Sequence, residues 1–255
     1  FNLDEEKLIY VNKNEQNDEN LYLPNYVTED FARLFGFLLG DGYMRTKIQD
    51  NGTCYILGFA EGEHEEINQK YFNLLKQFYG NTKYAPENRE NRRYGKYRAS
   101  NKTLVATFEK LGFKSGAHNK RIPEWVFSER DEIKKALIEG LADADGTNRY
   151  TKAGTWFSTI ELCNKNLIED IKEVWDSIGY CSGLIKSRCN KGGFIKAENR
   201  QIKETKSYSV TISDYVLKDS ENILNVEYYG EEPVYDIGVK YGEHDRSEER
   251  FSRNA

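Results

Sequence analysis

The chain is poor in the residues that build most metal and catalytic centres. Its 255 residues hold three histidines, His64, His118 and His244, too scattered to support histidine-based catalysis or metal ligation. Its four cysteines, Cys54, Cys163, Cys181 and Cys189, form no CxxC pair, and the nearest two are eight residues apart. That spacing argues against a zinc site, and the chain length argues against a disulfide framework, so reduced thiols are expected. No apolar run reaches the roughly 20 residues of a membrane span, and no secretory leader pattern opens the chain. An intracellular, cytoplasmic or nucleoid-associated protein that does not enter membranes is therefore expected. Excess positive charge is lacking too: the net charge is −5 and the pI about 5.5, so nucleic acid could be bound only through local clusters. Hydrophobic residues make up 38% and charged residues 31%, enough for a real core in one large or two small domains.

Two short motifs are present instead, 104 positions apart. One reads Leu34-Phe35-Gly36-Phe37-Leu38-Leu39-Gly40-Asp41-Gly42 and the other Ile138-Glu139-Gly140-Leu141-Ala142-Asp143-Ala144-Asp145-Gly146. Gly36 and Gly40, like Gly140 and Ala144, are four apart and share one helix face, where small side chains let two helix backbones approach. These four are the expected helix interface. Thr28 before Glu29 and Asp30 reads as an N-cap, and Ser128-Glu129-Arg130-Asp131 fits a capping box. Gly42 and Gly146 fall where a helix C′ residue is wanted. Asp41 and Asp145 then lie at the negative ends of two helix dipoles, and two such anions side by side repel. A divalent cation reverses that sign, because it takes carboxylate and carbonyl oxygens as ligands; Asp41, Asp145 and the carbonyls of Gly40 and Ala144 form the candidate metal set.

Both segments resemble the signature of the LAGLIDADG homing endonucleases in their single-chain, two-motif form. The second copy is close to the family string. In the first, Leu39 stands for the first Asp and Gly40 for the Ala, while the final acidic position is kept in both. The resemblance spans roughly residues 28–219. It implies an α/β (α+β) fold of two pseudo-symmetric repeats ordered αββαββα, with saddle-shaped antiparallel sheets on double-stranded DNA. It also implies a monomer that makes a Mg²⁺-dependent double-strand cut, with Mn²⁺ as a substitute, at a long asymmetric target. A Lys near an Ile-Pro acts beside the scissile phosphates in the family, and Lys120 in Asn119-Lys120-Arg121-Ile122-Pro123 fits by context. Its counterpart in the second repeat is Lys218. An ammonium there could stabilise charge on the transition-state phosphate or polarise a water. Asp41, Asp145, Lys120 and Lys218 are thus the catalytic candidates. A non-cleaving, maturase-like nucleic-acid-binding relative is the rival reading.

Charge distribution agrees with DNA contact. Residues 83–102 carry Lys83, Arg89, Arg92, Arg93, Lys96, Arg98 and Lys102 against Glu87 and Glu90; residues 186–206 carry Lys186, Arg188, Lys191, Lys196, Arg200, Lys203 and Lys206 against Glu198 and Glu204. The two windows follow Asp41 and Asp145 at similar distances and suit phosphate contact, as do Arg45 and Lys47.

Periodicity predicts strands at 54–59, 94–99, 155–160 and 208–212, and helices at 65–78, 102–111 and 167–178. The expected divisions are an N-terminal extension 1–27, repeats 28–125 and 126–219, and a β extension 220–255. Within the last, Asn225 to Val239 resembles the strand pair near the end of an intein splicing domain. Phe1 at the start, no Thr-x-x-His block, and Ser252-Arg253-Asn254-Ala255 at the end make a complete self-splicing intein unexpected. An intein remnant or excised endonuclease portion stays open as an alternative.

Overall fold

The computed structural model describes residues 19–49, 52–89, 92–195, 200–202 and 204–216, all within one compact unit. Lys196, Lys203, Lys218 and the 225–239 segment lie outside the described residues.

Helix α1 (Glu29–Asp41) begins at Thr28, whose hydroxyl accepts from the Phe31 amide at 3.2 Å, with Glu29 and Asp30 at its positive end. Its apolar residues are buried on nearly every side, so it is a central helix. The chain leaves it directly into the hairpin β1 (Gly42–Gln49) and β2 (Gly52–Ala60), then α2 (Glu65–Phe78), the hairpin β3 (Lys83–Arg89) and β4 (Arg92–Ala99), and α3 (Lys102–Lys110). The four strands form one antiparallel sheet, ordered β1-β2-β4-β3. Leu57, Phe59, Tyr97 and Ala99 bury one face of it; Phe59 meets Phe37 of α1 edge-on at 5.0 Å, and Phe37 stacks on Tyr71 of α2 at 3.6 Å.

A four-residue helix α4 (Glu124–Phe127) precedes α5 (Asp131–Asp145), the hairpin β5 (Gly146–Tyr150) and β6 (Trp156–Leu162), and α6 (Lys165–Ser177). Strands β7 (Tyr180–Ser182) and β8 (Lys186–Asn190) pair successive parts of the long β11 (Thr205–Val216), whose middle also pairs β6. Strands β9 (Gly193–Ile195) and β10 (Arg200–Ile202) form a separate pair. The result is an α/β fold with antiparallel sheets and six helices among the described residues, and none of those helices is long and apolar enough to cross a membrane.

Two local readings are corrected. Ser128 does not cap α5: it closes α4, while Arg130 occupies the N-cap of α5 and its side chain makes no capping hydrogen bond to the helix. The intervening turn of α4 moves the start of α5 two residues past the capping box. Gly42 and Gly146 are not left-handed caps, with φ −75° and −97°. The chain turns straight from helix to strand there, and a Cβ on either would collide with the preceding helical turn at the Leu38 or Ala142 carbonyl.

Candidate active site

Helices α1 and α5 cross at their small residues. A Cβ on Gly36 would run into the Leu137 carbonyl, and one on Gly140 into the Arg33 carbonyl, so neither helix tolerates even a methyl group there. Arg33 and Glu139 form an ion pair across the crossing. One turn further on, a Cβ on Gly40 would meet Ala144 and lie 2.6 Å from a carboxylate oxygen of Asp145. The crossing therefore carries both helix ends, and the two Asp residues that terminate them, to one place.

Neither the Asp41 nor the Asp145 carboxylate accepts a hydrogen bond from a described residue. Asp41 retains access to solvent and Asp145 is half-buried. Burial raises the pKa of both. For Asp145 the negative charge of Asp41 adds to the effect and carries it up to about 6. The opposing influence is Lys120, which is 5% exposed and itself pushed down by burial, with the two carboxylates pulling the other way. Its ammonium donates to the carbonyls of Leu38 at 3.2 Å, Gly40 at 2.6 Å and Gly42 at 2.9 Å. Those three acceptors take up its three protons, so it closes the last turn of α1 and lends the carboxylates its charge. At the end of α5 no ammonium does the same among the described residues; the Asn148 side-chain amide donates to the Ala142 carbonyl at 3.5 Å.

Among the described residues no three His, Cys, Asp or Glu side chains cluster as a metal cage. The donor set is two carboxylates and nearby carbonyls, of which Gly40 already accepts from Lys120. This suits a hard cation that keeps several waters or takes substrate phosphate oxygens, as Mg²⁺ does.

Strand alternation sorts the basic candidates. The pairings Tyr43–Gly58, Gly58–Arg98 and Arg98–Lys83 run across the first sheet on one face. Arg45 and Lys47 on β1 and Lys96 on β4 share that face, opposite Leu57 and Phe59. Arg89, Arg92 and Arg93 lie where β3 meets β4. In the second sheet Lys186 pairs Ser209 and Arg188 pairs Ser207, on the face of Thr159 and Thr211, and the exposed Arg149 joins them. Arg149 was missed because its sequence neighbours are not basic. Lys191 is exposed after β8, and Arg200 lies on β10. Lys206 departs from its window: paired with Cys189, it belongs to the opposite face and sits over the Tyr208 ring at 5.3 Å.

No protein-family model matches the chain. An iron-sulfur cluster assembly SufBD family protein of Mycobacterium leprae is 25% identical over 169 residues, 66% of this chain and 18% of that protein. A DNA polymerase of a Thermococcus species is 26% identical over 179 residues, 69% of this chain and 10% of the polymerase. The chain thus spans between 6% and 18% of the length of the curated relatives it matches. Among solved structures, mesophilic variants of the homing endonuclease I-DmoI superpose with a TM-score of 0.48 at 17% identity, covering 72% of this chain and 88% of that one. The LAGLIDADG homing endonuclease I-GzeII, in complex with its DNA target, gives 0.39 at 9% identity, covering 73% and 78%.

Proposed function

We propose that the chain is a LAGLIDADG-type endonuclease that makes a metal-dependent double-strand break in a long asymmetric DNA target, acting as a monomer through two repeats, about 28–125 and 126–219. The observation that carries this reading is the meeting of Asp41 and Asp145 at the crossing of α1 and α5, beside the buried ammonium of Lys120. Two partly desolvated, mutually repelling carboxylates at helix C-termini are costly to a fold unless a cation is held between them. Bound Mg²⁺ would supply Lewis acidity at a phosphate oxygen and lower the pKa of a coordinated water. Asp41 and Asp145 would hold it, with the Ala144 carbonyl and the free lone pair of Gly40. Lys120 fixes the end of α1 and keeps Asp41 ionisable. The cationic sheet faces would bind phosphates on either side and set the DNA across the carboxylate pair.

A second observation bears on biological context. The matched proteins carry unrelated names, and the chain corresponds to only a small part of each. That supports a module carried inside host proteins, such as an intein's endonuclease portion, rather than a share in any host's own activity.

The test is cleavage selection. The protein is incubated with a randomised duplex library in Mg²⁺ or Mn²⁺ and the cut ends are sequenced. One recurrent long site is expected; a library left intact in both metals would reject the reading.

A further inference from the structure

Lys120 does not belong to the helix whose end it closes. It sits in the segment between α3 and α4, and its placement depends on what grips that segment. One end is tied to the strand that follows Asp41: the Ser115 hydroxyl accepts from the Met44 amide at 2.7 Å and donates to the Met44 carbonyl at 2.6 Å. The other end is tied to α6. Asn164, 6% exposed, donates from its side-chain nitrogen to the Lys120 carbonyl at 2.7 Å and the Ala117 carbonyl at 3.0 Å. Asp170, 3% exposed, accepts from the Ile122 amide at 3.1 Å and from the Arg121 guanidinium at 2.6 and 2.7 Å. Residues 120, 121 and 122 are thus each held by a side chain of one helix.

We propose that Asn164 and Asp170 are positioning residues that set the Lys120 ammonium at the end of α1 from the opposite half of the protein. This rests on the nuclease reading above for its consequence in catalysis, but not for its geometry. The residue type at 164 argues for more than a helix cap. Its side-chain oxygen accepts from the Leu167 amide at 3.2 Å, which Ser, Thr or Asp would do as well. Only an amide adds two donated bonds to the loop. Asp170 is similarly specific: a buried carboxylate engaged by Arg121, whose side chain is 55% exposed, and by a backbone amide tethers a chain segment. Helix α6 also packs on the second sheet, against β11 and β6. A shift of that half would therefore reach Asp41 through Lys120.

The test compares Asn164→Ser, which keeps the cap and removes both donated bonds, and Asp170→Asn with Ile171→Val, a buried change on the same helix whose apolar side chain makes no hydrogen bond to the loop. The first readout needs no activity: the rate of reductive methylation of Lys120, followed by peptide mass spectrometry. Both loop variants are expected to speed labelling while Ile171→Val leaves it unchanged; equal rates in all four proteins would overturn the proposal. The second readout is single-turnover cleavage of the selected site. Asn164→Ser is expected to slow cutting by roughly 10- to 100-fold, the scale of a misplacement of about 1 Å, without loss of DNA affinity. In a Lys120→Met background it should add nothing. A full cleavage rate in Asn164→Ser, or an equal further loss without Lys120, would overturn the positioning role. A wild-type protein that cuts nothing but labels as described would remove the nuclease reading alone.

Discussion

At the residue scale, the site is governed by which charges have partners. Asp143, two positions before Asp145, accepts from the Tyr71 hydroxyl at 2.7 Å and from Lys70 at 2.6 Å, so it is spent on the contact between α5 and α2. Leu39 at the corresponding place in α1 is buried. The two motifs can therefore differ at that position and still both end in an unpaired Asp. Asp145 holds a proton in the native state between its ordinary 3.8 and about 6 that the unfolded chain has released. Stability is therefore lost as pH rises through that window. Asp145→Asn removes the penalty. Metal-free melting curves should show the variant gaining on wild type as pH rises from about 4 to above 6, by roughly 1–2 kcal/mol once partial solvent screening is allowed for. Mg²⁺ should raise the wild-type melting temperature and leave the variant's unmoved; a constant gap across pH would contradict this. Lys120→Met takes a donor from three carbonyls, of which Leu38 keeps the Gly42 amide; the cost is roughly 1–3 kcal/mol for each left buried without a donor, and urea unfolding measures it. The Asp residues were legible as helix-ending acids. The Lys120 contacts to Leu38, Gly40 and Gly42, and the hold of Asn164 and Asp170, were not, because bonds spanning about 40 to 80 residues leave no local pattern.

At the scale of elements, the decisive feature is the α1–α5 crossing, since everything at the site follows from how closely those backbones meet. Gly36→Ala and Gly140→Ala each press a methyl against a backbone carbonyl that cannot swing aside. Each should cost about 1–3 kcal/mol or more, read as a fall of several degrees in melting temperature. Gly193→Ala, where a Cβ meets nothing within 4 Å, is the control expected to melt as wild type. The helices and strands themselves were readable from periodicity: α2 spans Glu65–Phe78 as its apolar spacing predicts, and each basic strand appears, β4 lengthened at its start and β11 at both ends. What escaped was punctuation. The short α4 has no amphipathic period to announce it, and it takes Ser128 for itself. Gly42 and Gly146 carry a signal that two mechanisms share, a left-handed cap and a close approach, and only the packing decides for the second.

At the scale of the whole molecule, an acidic protein is expected to bind an acidic polymer because its cations are segregated by strand alternation. Window counts could not supply that, since register assigns each side chain to a face: it sets Arg45, Lys47, Lys96 and Arg98 together and turns Lys206 away from Lys186 and Arg188. Replacing Arg45, Lys47 and Arg98 by Ala should weaken binding to most duplexes. It should also flatten the salt dependence, by a slope of roughly 0.9 for each phosphate no longer neutralised. Lys206→Ala should change neither, and fluorescence anisotropy across a salt series separates the two outcomes. One claim stands above the others, that Asp41 and Asp145 act as a pair in metal-dependent cutting of both strands. Strand-resolved cleavage of the selected duplex in Mg²⁺ by wild type, Asp41→Asn and Asp145→Asn tests it directly. Wild type is expected to cut both strands, and each variant to bind the duplex undiminished yet make no double-strand break. A single variant that cuts both strands at the wild-type rate would contradict it.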